Sequence, residues 1–236
     1  MCGRFTSLLT PELLKVIYEV ANPVACQPRY NIAPTQQALV VMEDFSSNRQ
    51  VVAMRWGLVP LWAKEISSST RMFNARSETV HEKPAFRQAI RSRRCLVPAH
   101  GFYEWSQNGK TKTPYYISLK DGSPMSFAGI WEAWQSPVGE TIECFSILTT
   151  QANRFMEKIH DRMPVILHKD EHQLWLDRGM TDPLTLQRFY QPFPSELLQS
   201  WSVSKEINSA HHDGPELIQP AEHVGDPCHS SNLFHT

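Results

Sequence analysis

The chain has 236 residues, of which 41% are hydrophobic and 20% charged, and its formal net charge at pH 7 is −1. This length suits one generous domain or two small ones, and the composition is that of an ordinary globular protein. The near-neutral charge excludes a global basic field, so any contact with nucleic acid must come from a local patch.

The five cysteines do not form the pattern of a disulfide framework. Their number is odd, they are widely spaced and no CxxC motif occurs, which points to a reducing compartment. The N-terminus lacks a basic region followed by an apolar run, and no apolar run reaches the ~18 residues of a membrane span. We therefore expect an intracellular, cytoplasmic protein.

The first quarter of the chain predicts one helix and two strands. Thr10 precedes a proline and an acidic residue, as an N-cap does, and the helix is predicted to end at Asn22-Pro23. Residues 29–34 are predicted to form turns. Strands are predicted over residues 38–42 and 51–56. The polar, serine-rich stretch 63–71 predicts a mobile loop.

The rest of the chain predicts mostly strands joined by turns. Strands are predicted over residues 95–99, 101–105, 114–119, 125–134, 144–150 and 201–203, with Asn108-Gly109 as a hairpin turn. Short helices are predicted over residues 84–91, 153–159, 169–176 and 194–200. This order favours an α+β fold with one domain around a mostly antiparallel, barrel-like β-sheet with short flanking helices.

The domain is predicted to span residues 1–222, followed by a disordered tail over residues 223–236. The tail is polar and contains glycine, proline and serine. It also holds three histidines and Cys228, but their spacing fits no established zinc pattern. No metal or cofactor is predicted, and we expect a monomer.

The stretch with the most distinctive chemistry is the N-terminus, Met1-Cys2-Gly3-Arg4. If Met1 is removed, Cys2 carries a free α-amine two carbons from its thiol, a pairing that no internal cysteine has. The amine could act as base for the thiol in hydrolytic turnover. It could instead condense with an aldehyde, after which the thiol would close a thiazolidine ring. The alternative is that Cys2 is a small buried apolar residue.

Two acid–base candidates lie far from the N-terminus. Glu104 stands between Tyr103 and Trp105, and apolar surroundings would suit a general acid or base, although simple alternation would put it on the wet face. His160 lies at a predicted helix end, where it could transfer protons or merely cap the helix. Its neighbours Asp161 and Arg162 are predicted to form an ion pair that fixes the turn.

Other polar and aromatic residues suit contacts with a phosphate chain and its bases. Asn74 and Arg76 are two residues apart, so an extended backbone would put both on one side. An amide and a guanidinium could then orient a reacting group and hold a phosphate, although turn polarity explains them equally well. Trp62 suits an exposed stacking surface, whereas Trp56 suits the core.

Six segments in order resemble one family, the SOS response-associated peptidase (SRAP) family of abasic-site processing proteins. They are Met1 to Phe5, Arg29-Tyr30-Asn31-Ile32-Ala33-Pro34, Trp56-Gly57-Leu58-Val59-Pro60, Asn74-Ala75-Arg76-Ser77-Glu78-Thr79, the run from Cys95-Leu96-Val97-Pro98 to Gly101-Phe102-Tyr103-Glu104-Trp105, and Ile159-His160-Asp161-Arg162-Met163-Pro164. Each motif alone is weak evidence for this family, but six motifs in the same order are specific for it. The resemblance extends from residue 2 to about residue 220.

The resemblance implies a nucleoid-associated protein of the DNA damage response that binds single-stranded DNA at abasic sites. It implies loss of Met1 by self-processing and a covalent thiazolidine crosslink between Cys2 and the lesion. The Schiff base would also permit a DNA lyase side reaction. The family's catalytic positions match Cys2, Asn74, Glu104 and His160. Its DNA-binding positions match Arg4, Arg76, Pro34, Trp62 and Trp105.

Two other functions compete with this reading. An N-terminal-cysteine amidohydrolase of the glutamine amidotransferase kind also begins Met-Cys-Gly, but the rest of that family's pattern is absent here. The third candidate is a DNA-binding module in which Cys2 has no chemical role. The placement of Cys2, Glu104 and His160 in matched motifs argues against it.

Overall fold

Strands dominate the computed structural model, which describes residues 2–109 and 111–221. The strands are β1 (Arg4–Ser7), β2 (Arg29–Ile32), β3 (Gln37–Glu43), β4 (Arg49–Trp56), β5 (Asn74–Arg76), β6 (Arg94–Ala99), β7 (Gly101–Asn108), β8 (Thr111–Leu119), β9 (Met125–Gln135), β10 (Thr141–Gln151), β11 (Arg162–Pro164), β12 (Ile166–Leu167) and β13 (Leu198–Ser202). The α-helices are α1 (Pro11–Val16), α2 (Ala89–Ser92), α3 (His172–Leu176) and α4 (Pro183–Leu186). Single 3₁₀ turns occupy Ile66–Arg71, Met156–Lys158, Lys169–Glu171, Gln187–Tyr190, Ser195–Leu197, Lys205–Asn208 and Pro215–Ile218.

The larger sheet closes on itself. Its strands follow the order β11-β10-β4-β3-β6-β9-β12, and β10 also pairs with β9. Strands β10, β4, β3, β6 and β9 therefore form a ring, in which only the β10–β4 pair is parallel. The sequence prediction of one α+β domain around a barrel-like, mostly antiparallel sheet is confirmed.

The smaller sheet carries the N-terminal strand. Its order is β13-β8-β7-β1-β2, so β1 lies between β2 and β7. Arg4 pairs with Tyr103 and Phe5 with Phe102. Phe5 also packs edge-on against the buried ring of Trp56, with the ring centroids 5.0 Å apart. The apolar contact holds β1 against the barrel and so positions Cys2, three residues earlier.

The first helix begins where the sequence predicted but ends sooner. Thr10 is the N-cap, and its side chain accepts a hydrogen bond from Leu13 N at 3.2 Å. The helix ends at Val16, well before Asn22-Pro23. Glu19 has a positive φ of 56°, a left-handed conformation that stops helical propagation. The predicted end was therefore wrong by several residues.

Two segments were assigned to the wrong kind of structure. Residues 29–34 were predicted to form turns, but Arg29–Ile32 is a strand because it pairs with β1, Phe5 opposite Ile32. Residues 194–200 were predicted to be helical, but only Ser195–Leu197 turns, and β13 follows and pairs with β8. In both cases backbone pairing with a distant strand overrides the local preference.

Three shorter predictions are corrected in detail. The stretch 63–71, predicted as a mobile loop, contains the 3₁₀ turn Ile66–Arg71. The helix predicted over 84–91 is reduced to Ala89–Ser92, and that over 153–159 to the 3₁₀ turn Met156–Lys158. The predicted disordered tail, with its histidines and Cys228, lies outside the described residues. Across residues 2–109 and 111–221, no helix is long and apolar enough to span a bilayer.

Gly101 begins β7 at a position where no side chain fits. A Cβ there would lie 2.6 Å from the carbonyl oxygen of Ile117 and would overlap the Tyr116 ring. The carbonyl cannot move away without disturbing the β7–β8 pairing. We expect Gly101→Ala to lower the free energy of unfolding by about 2–3 kcal/mol, as measured by urea denaturation.

Gly179→Ala is the matched control for this substitution. A Cβ at Gly179 would meet only the side chain of Asp177, at 3.1 Å, which can rotate away. We expect it to change the free energy of unfolding by less than about 1 kcal/mol. Equal effects of the two substitutions would show that backbone crowding at Gly101 does not matter.

Candidate functional site

Cys2 is fully buried and is held by Asn74. The amide nitrogen Nδ2 of Asn74 donates a hydrogen bond to the carbonyl oxygen of Cys2 at 2.8 Å. The Cys2 thiol makes only a weak contact with the Arg4 carbonyl, at 3.8 Å. Among the described residues, Asn74 Oδ1 is buried without a hydrogen-bond partner. The Asn74 amide is therefore fixed at one end and has a free acceptor at the other.

The barrel fixes the position of Asn74. Strand β5 pairs in parallel with β10, with Asn74 opposite Ile147 and Arg76 opposite Thr149. Just before it, the Phe73 carbonyl accepts hydrogen bonds from Trp56 Nε1 at 2.8 Å and from Ile147 N at 3.0 Å. This short strand thus brings Asn74 from the barrel to Cys2.

Glu104 is buried beside Cys2, with 2% exposure. Strands β1 and β7 are antiparallel, and Arg4 pairs with Tyr103. Glu104 follows Tyr103, so it lies at the end of β1 from which the chain leads back to Cys2. Burial, and next the charge of Glu104, raise the pKa of the Cys2 thiol. The thiol is therefore protonated at neutral pH and lies within the electrostatic reach of a carboxylate. Of the two sequence interpretations, the one that places Glu104 on a wet face is wrong, because the side chain is buried.

His160 lies on the other side of β10 from Asn74. Thr149 pairs with Arg76 of β5 on one side and with Pro164 of β11 on the other, and His160 precedes β11 by two residues. The His160 side chain is 28% exposed. Asn74 and His160 thus come from the two strands that flank the same end of β10, whereas Cys2 and Glu104 come from the smaller sheet.

The Nδ1 atom of His160 faces two groups with opposite requirements. It lies 3.0 Å from the backbone N–H of Arg162, which can donate only to an unprotonated nitrogen. It also lies 2.8 Å from Asp161 Oδ1, which can accept only from a protonated nitrogen. Both protonation states of the imidazole therefore have a partner, a useful property for a group that transfers protons.

The predicted ion pair between Asp161 and Arg162 is wrong. Asp161 faces His160, while the Arg162 guanidinium makes two hydrogen bonds to the Glu78 carboxylate and others to Thr149. The hydrogen bond from Arg162 lowers the pKa of Glu78. This pair joins the segment after β5 to β11, so it braces the two strands that carry Asn74 and His160. Glu78 lay in a recognised motif but was given no role.

The residues predicted to bind DNA differ in their availability. Arg76 is exposed at the end of β5, and Trp62 is 65% exposed beside Leu61 at 51%. Pro34 and Trp105 are half-buried, and Trp105 Nε1 donates to Asn208 Oδ1 at 2.9 Å. Arg76 and Trp62 are thus open to a ligand, whereas Trp105 is already held by a residue far along the chain.

Arg4 is engaged inside the protein. Its guanidinium donates hydrogen bonds to Asn31 Oδ1 at 2.6 Å and to the carbonyls of Ile207 at 2.7 Å and Asn208 at 3.2 Å. Burial lowers the pKa of Arg4 from its usual value. In the structure, Arg4 therefore ties β1 to the C-terminal part of the chain.

Asn31 and Asp213 complete this connection, which sequence reasoning missed. The Asn31 amide donates to the carbonyls of Ser209 and His212 at 2.9 and 2.7 Å, and more weakly to Ile207. The Asp213 carboxylate accepts from the backbone N–H of Asn31 at 2.7 Å and from Tyr30 N and Arg29 Nε. We call Arg4, Asn31, Asp213 and residues 207–212 the C-terminal clamp. No local signal predicts contacts across about 180 residues.

The chain is similar to known proteins in both sequence and fold. The family model for the SOS response associated peptidase (SRAP) matches residues 1–210. The chain is 42% identical over 225 residues to the abasic site processing protein YoqW of Bacillus subtilis, covering 93% of this chain and 99% of that protein. It is 30% identical over 272 residues to the mouse abasic site processing protein HMCES, covering 94% and 76%. A crystal structure of a protein from Bacteroides thetaiotaomicron matches with a TM-score of 0.81 at 28% identity, covering 93% of this chain and 100% of that chain.

Proposed function

This chain belongs to the SOS response associated peptidase (SRAP) family, and from that premise we propose that it processes abasic sites in single-stranded DNA by forming a covalent crosslink through Cys2. The observation that carries the proposal is the environment of Cys2. Its carbonyl is held by Asn74, and its buried thiol lies within reach of the Glu104 charge. The crosslink would shield the lesion from strand cleavage during the DNA damage response.

The proposed reaction requires no oxidant. Met1, which lies outside the described residues, is first removed, so that Cys2 carries a free amine. The amine condenses with the aldehyde of the ring-opened deoxyribose, forming a C=N bond and releasing one water. The thiol sulfur then adds to that carbon, its proton passes to the nitrogen, and a five-membered thiazolidine ring results.

Each of the four predicted catalytic side chains has a task in this reaction. The Cys2 thiol is kept protonated by burial, so it needs a base as it adds to the C=N carbon, and Glu104 accepts that proton and returns it to the nitrogen. Asn74 Oδ1 is a buried acceptor that has no partner among residues 2–109 and 111–221, and it would receive an N–H of the Cys2 amine or a sugar hydroxyl. His160 assists the proton transfer that opens the sugar ring.

Binding of the DNA must rest on a local face, because the net charge of the chain is −1. Arg76 is the exposed cation nearest to Asn74 along the chain, and the rings of Trp62 and Trp105, with Pro34, offer apolar surfaces for bases. Arg4 acts by holding β1 in place through the C-terminal clamp. We place the protein with the nucleoid in the cytoplasm, acting as a monomer without a cofactor.

The peptidase activity of the family name is proposed here only for the removal of Met1. That cleavage hydrolyses the bond before Cys2 and leaves the amine that the crosslink needs. The same Schiff base that precedes ring closure also permits a slow lyase reaction, in which the DNA strand is cut on the 3′ side of the lesion. Ring closure by the thiol competes with this reaction.

The test is a denaturing gel of protein mixed with a single-stranded oligonucleotide that contains one abasic site. We expect a heat-stable shifted band with the wild type and none with Cys2→Ala. Mass spectrometry of the shifted species should give the protein without Met1, plus the oligonucleotide, minus one water. An oligonucleotide without the abasic site is the control and should give no band.

Other outcomes would point elsewhere. No band, together with hydrolysis of glutamine by the wild type, would support the amidohydrolase. No band and no hydrolysis, with ordinary binding to DNA, would leave a binding module in which Cys2 has no chemical role. A band that persists in Cys2→Ala would assign the crosslink to another nucleophile.

Arg76→Gln tests the phosphate contact. Because the Arg76 side chain is exposed and its guanidinium makes no hydrogen bond to any described residue, its removal should weaken binding to single-stranded DNA without changing thermal stability. We expect the dependence of log K on log salt to become shallower by about 0.7, the value of one phosphate contact. Arg87→Gln, which removes an equally exposed cation, should leave both binding and the salt slope unchanged.

A further inference from the structure

A second cavity lies away from the Cys2 site. It has a volume of ≈ 330 Å³ and is bounded by the β8–β9 turn, the end of β12 and the start of α3. Leu119 in its wall is four residues along β8 from Tyr115, which pairs with Glu104. That separation is about 13 Å along a strand. The volume is within the range of small-molecule pockets, at its lower end.

One wall of the cavity carries a buried histidine whose hydrogen bonding is poor. His172 is 2% exposed, and among the described residues neither ring nitrogen has a hydrogen bond of good geometry, the backbone of Ile17 being only a weak partner. Its ring stacks on Tyr18 with centroids 5.6 Å apart and an interplanar angle of 4°. Leaving a buried polar group unpaired costs about 1–3 kcal/mol, so the orientation of His172 calls for a partner that enters the cavity.

The protonation state of His172 defines what that partner must offer. Burial, and next the charges of Arg49 and Lys169, lower the pKa of His172 to about 4, against smaller opposite effects of Asp170 and of the weak hydrogen bond with the Ile17 backbone. At neutral pH the ring is therefore uncharged and presents one N–H donor and one bare nitrogen. A neutral imidazole can donate to an anionic oxygen without any cost of charging.

The mouth of the cavity is cationic and its interior is apolar. Lys120 and Lys169 lie at the mouth, and Lys169 Nζ uses only one of its three protons, on the Val16 carbonyl at 3.1 Å. Asp121, the carboxylate at the mouth, is already engaged by Ser123 N and Ser123 Oγ at 2.9 and 2.7 Å. The apolar walls are Ile17, Leu119, Met125, Ile166, Leu167, Phe193 and Leu197.

We propose that this cavity binds a small aromatic carboxylate. The ring would lie against Phe193 and Leu197, and one carboxylate oxygen would accept the N–H of His172 while the charge is balanced by Lys120 and Lys169. Lys169 and His172 are three residues apart across the start of α3, so both can reach one carboxylate. Phe193 is already held by stacking on His168, with centroids 4.8 Å apart, and so presents a preformed surface.

The experiment uses 1-naphthylacetate as the probe and its neutral amide, 1-naphthylacetamide, as the comparison, both titrated calorimetrically into the full chain. We expect one equivalent of the carboxylate to bind, at least about tenfold more tightly than the amide. His172→Phe keeps the ring and its stacking on Tyr18 but removes both nitrogens. It should weaken binding of the carboxylate at least about tenfold, because a hydrogen bond to a charged group is lost.

Controls separate the ligand site from folding and from the Cys2 chemistry. Lys120→Gln should weaken binding of the carboxylate and leave binding of the amide unchanged. Lys83→Gln, at an exposed lysine elsewhere, should change the binding of neither compound. His172→Phe should retain the crosslinking activity of the wild type and should not unfold at a lower temperature. The proposal is wrong if the carboxylate does not bind at millimolar concentration, if it binds no better than the amide, or if His172→Phe binds it unchanged.

Discussion

Replacing Glu104 by Gln is expected to slow formation of the crosslink at least about 100-fold, the lower end of what a positioned general acid or base contributes. Glutamine has almost the same shape, so Cys2 and Asn74 keep their places. It cannot accept the thiol proton during ring closure. The measurement is the rate of appearance of the shifted band on a denaturing gel with a single-stranded abasic oligonucleotide.

The same variant should change the reactivity of Cys2 in the opposite direction towards a simple alkylating agent. Burial and the Glu104 charge raise the pKa of the thiol. Removing the charge lowers that pKa, so the thiolate fraction at any given pH rises and alkylation by iodoacetamide becomes faster. Slower crosslinking with faster alkylation cannot be explained by a damaged or more deeply buried thiol.

Glu43→Gln is the matched control for Glu104→Gln. Glu43 is 5% exposed, and burial raises its pKa, but it lies on β3 and is bonded by Gln173 Nε2 at 3.2 Å. We expect Glu43→Gln to crosslink at the wild-type rate. A wild-type rate in Glu104→Gln would show that Glu104 transfers no proton in the reaction.

Asn31→Ala should be the most destabilising of the substitutions away from the reacting groups. The Asn31 side chain is fully buried and connects Arg4 to the carbonyls of residues 207, 209 and 212. Alanine leaves buried donors and acceptors unpaired, at about 1–3 kcal/mol each. We expect a loss of about 3 kcal/mol or more, which corresponds to a fall in Tm of roughly 6–12 °C for a chain of this length.

Thermal denaturation followed by circular dichroism measures this loss. Asn48→Ala, in an exposed turn where Asn48 contacts only Asp44, should lower Tm by no more than about 2 °C. If Asn31→Ala lowers Tm as little as Asn48→Ala does, the C-terminal clamp contributes little to stability. In that event Arg4 would be available to contact DNA instead.

The local hydrophobic pattern was sufficient to predict the strands of the barrel. Residues 38–42, 51–56, 95–99, 125–134 and 144–150 carry long apolar runs, and every one of these segments lies in a strand with nearly the predicted bounds. Arg29–Ile32 could not be predicted in this way, because four residues with mixed polarity become a strand only by pairing with β1. The same holds for the first three residues of Leu198–Ser202, which were predicted to be helical and form a strand only against β8, whereas the predicted strand 201–203 overlaps the end of β13.

In the candidate site, too, some residues could be predicted from local sequence and others only from the folded chain. The aminothiol at Cys2 follows from chemistry, and the candidate roles of Asn74, Glu104 and His160 follow from matched motifs. The burial of Glu104 was an even choice on sequence, because alternation along a strand does not say which face is covered. Glu78 with Arg162 and Asn31 with Asp213 join segments about 80 and 180 residues apart, so only the folded chain reveals these pairs.

The C-terminal clamp also has a consequence for the order in which the protein is made. Arg4 is synthesised about 200 residues before its partners at residues 207 and 208. Strand β1 likewise waits for β7, about 100 residues later, before it can pair. Until these partners have been made, Cys2 lacks the neighbours that bury it in the folded structure. A product truncated before residue 207 would therefore carry Cys2 without the surroundings on which its proposed reactivity depends.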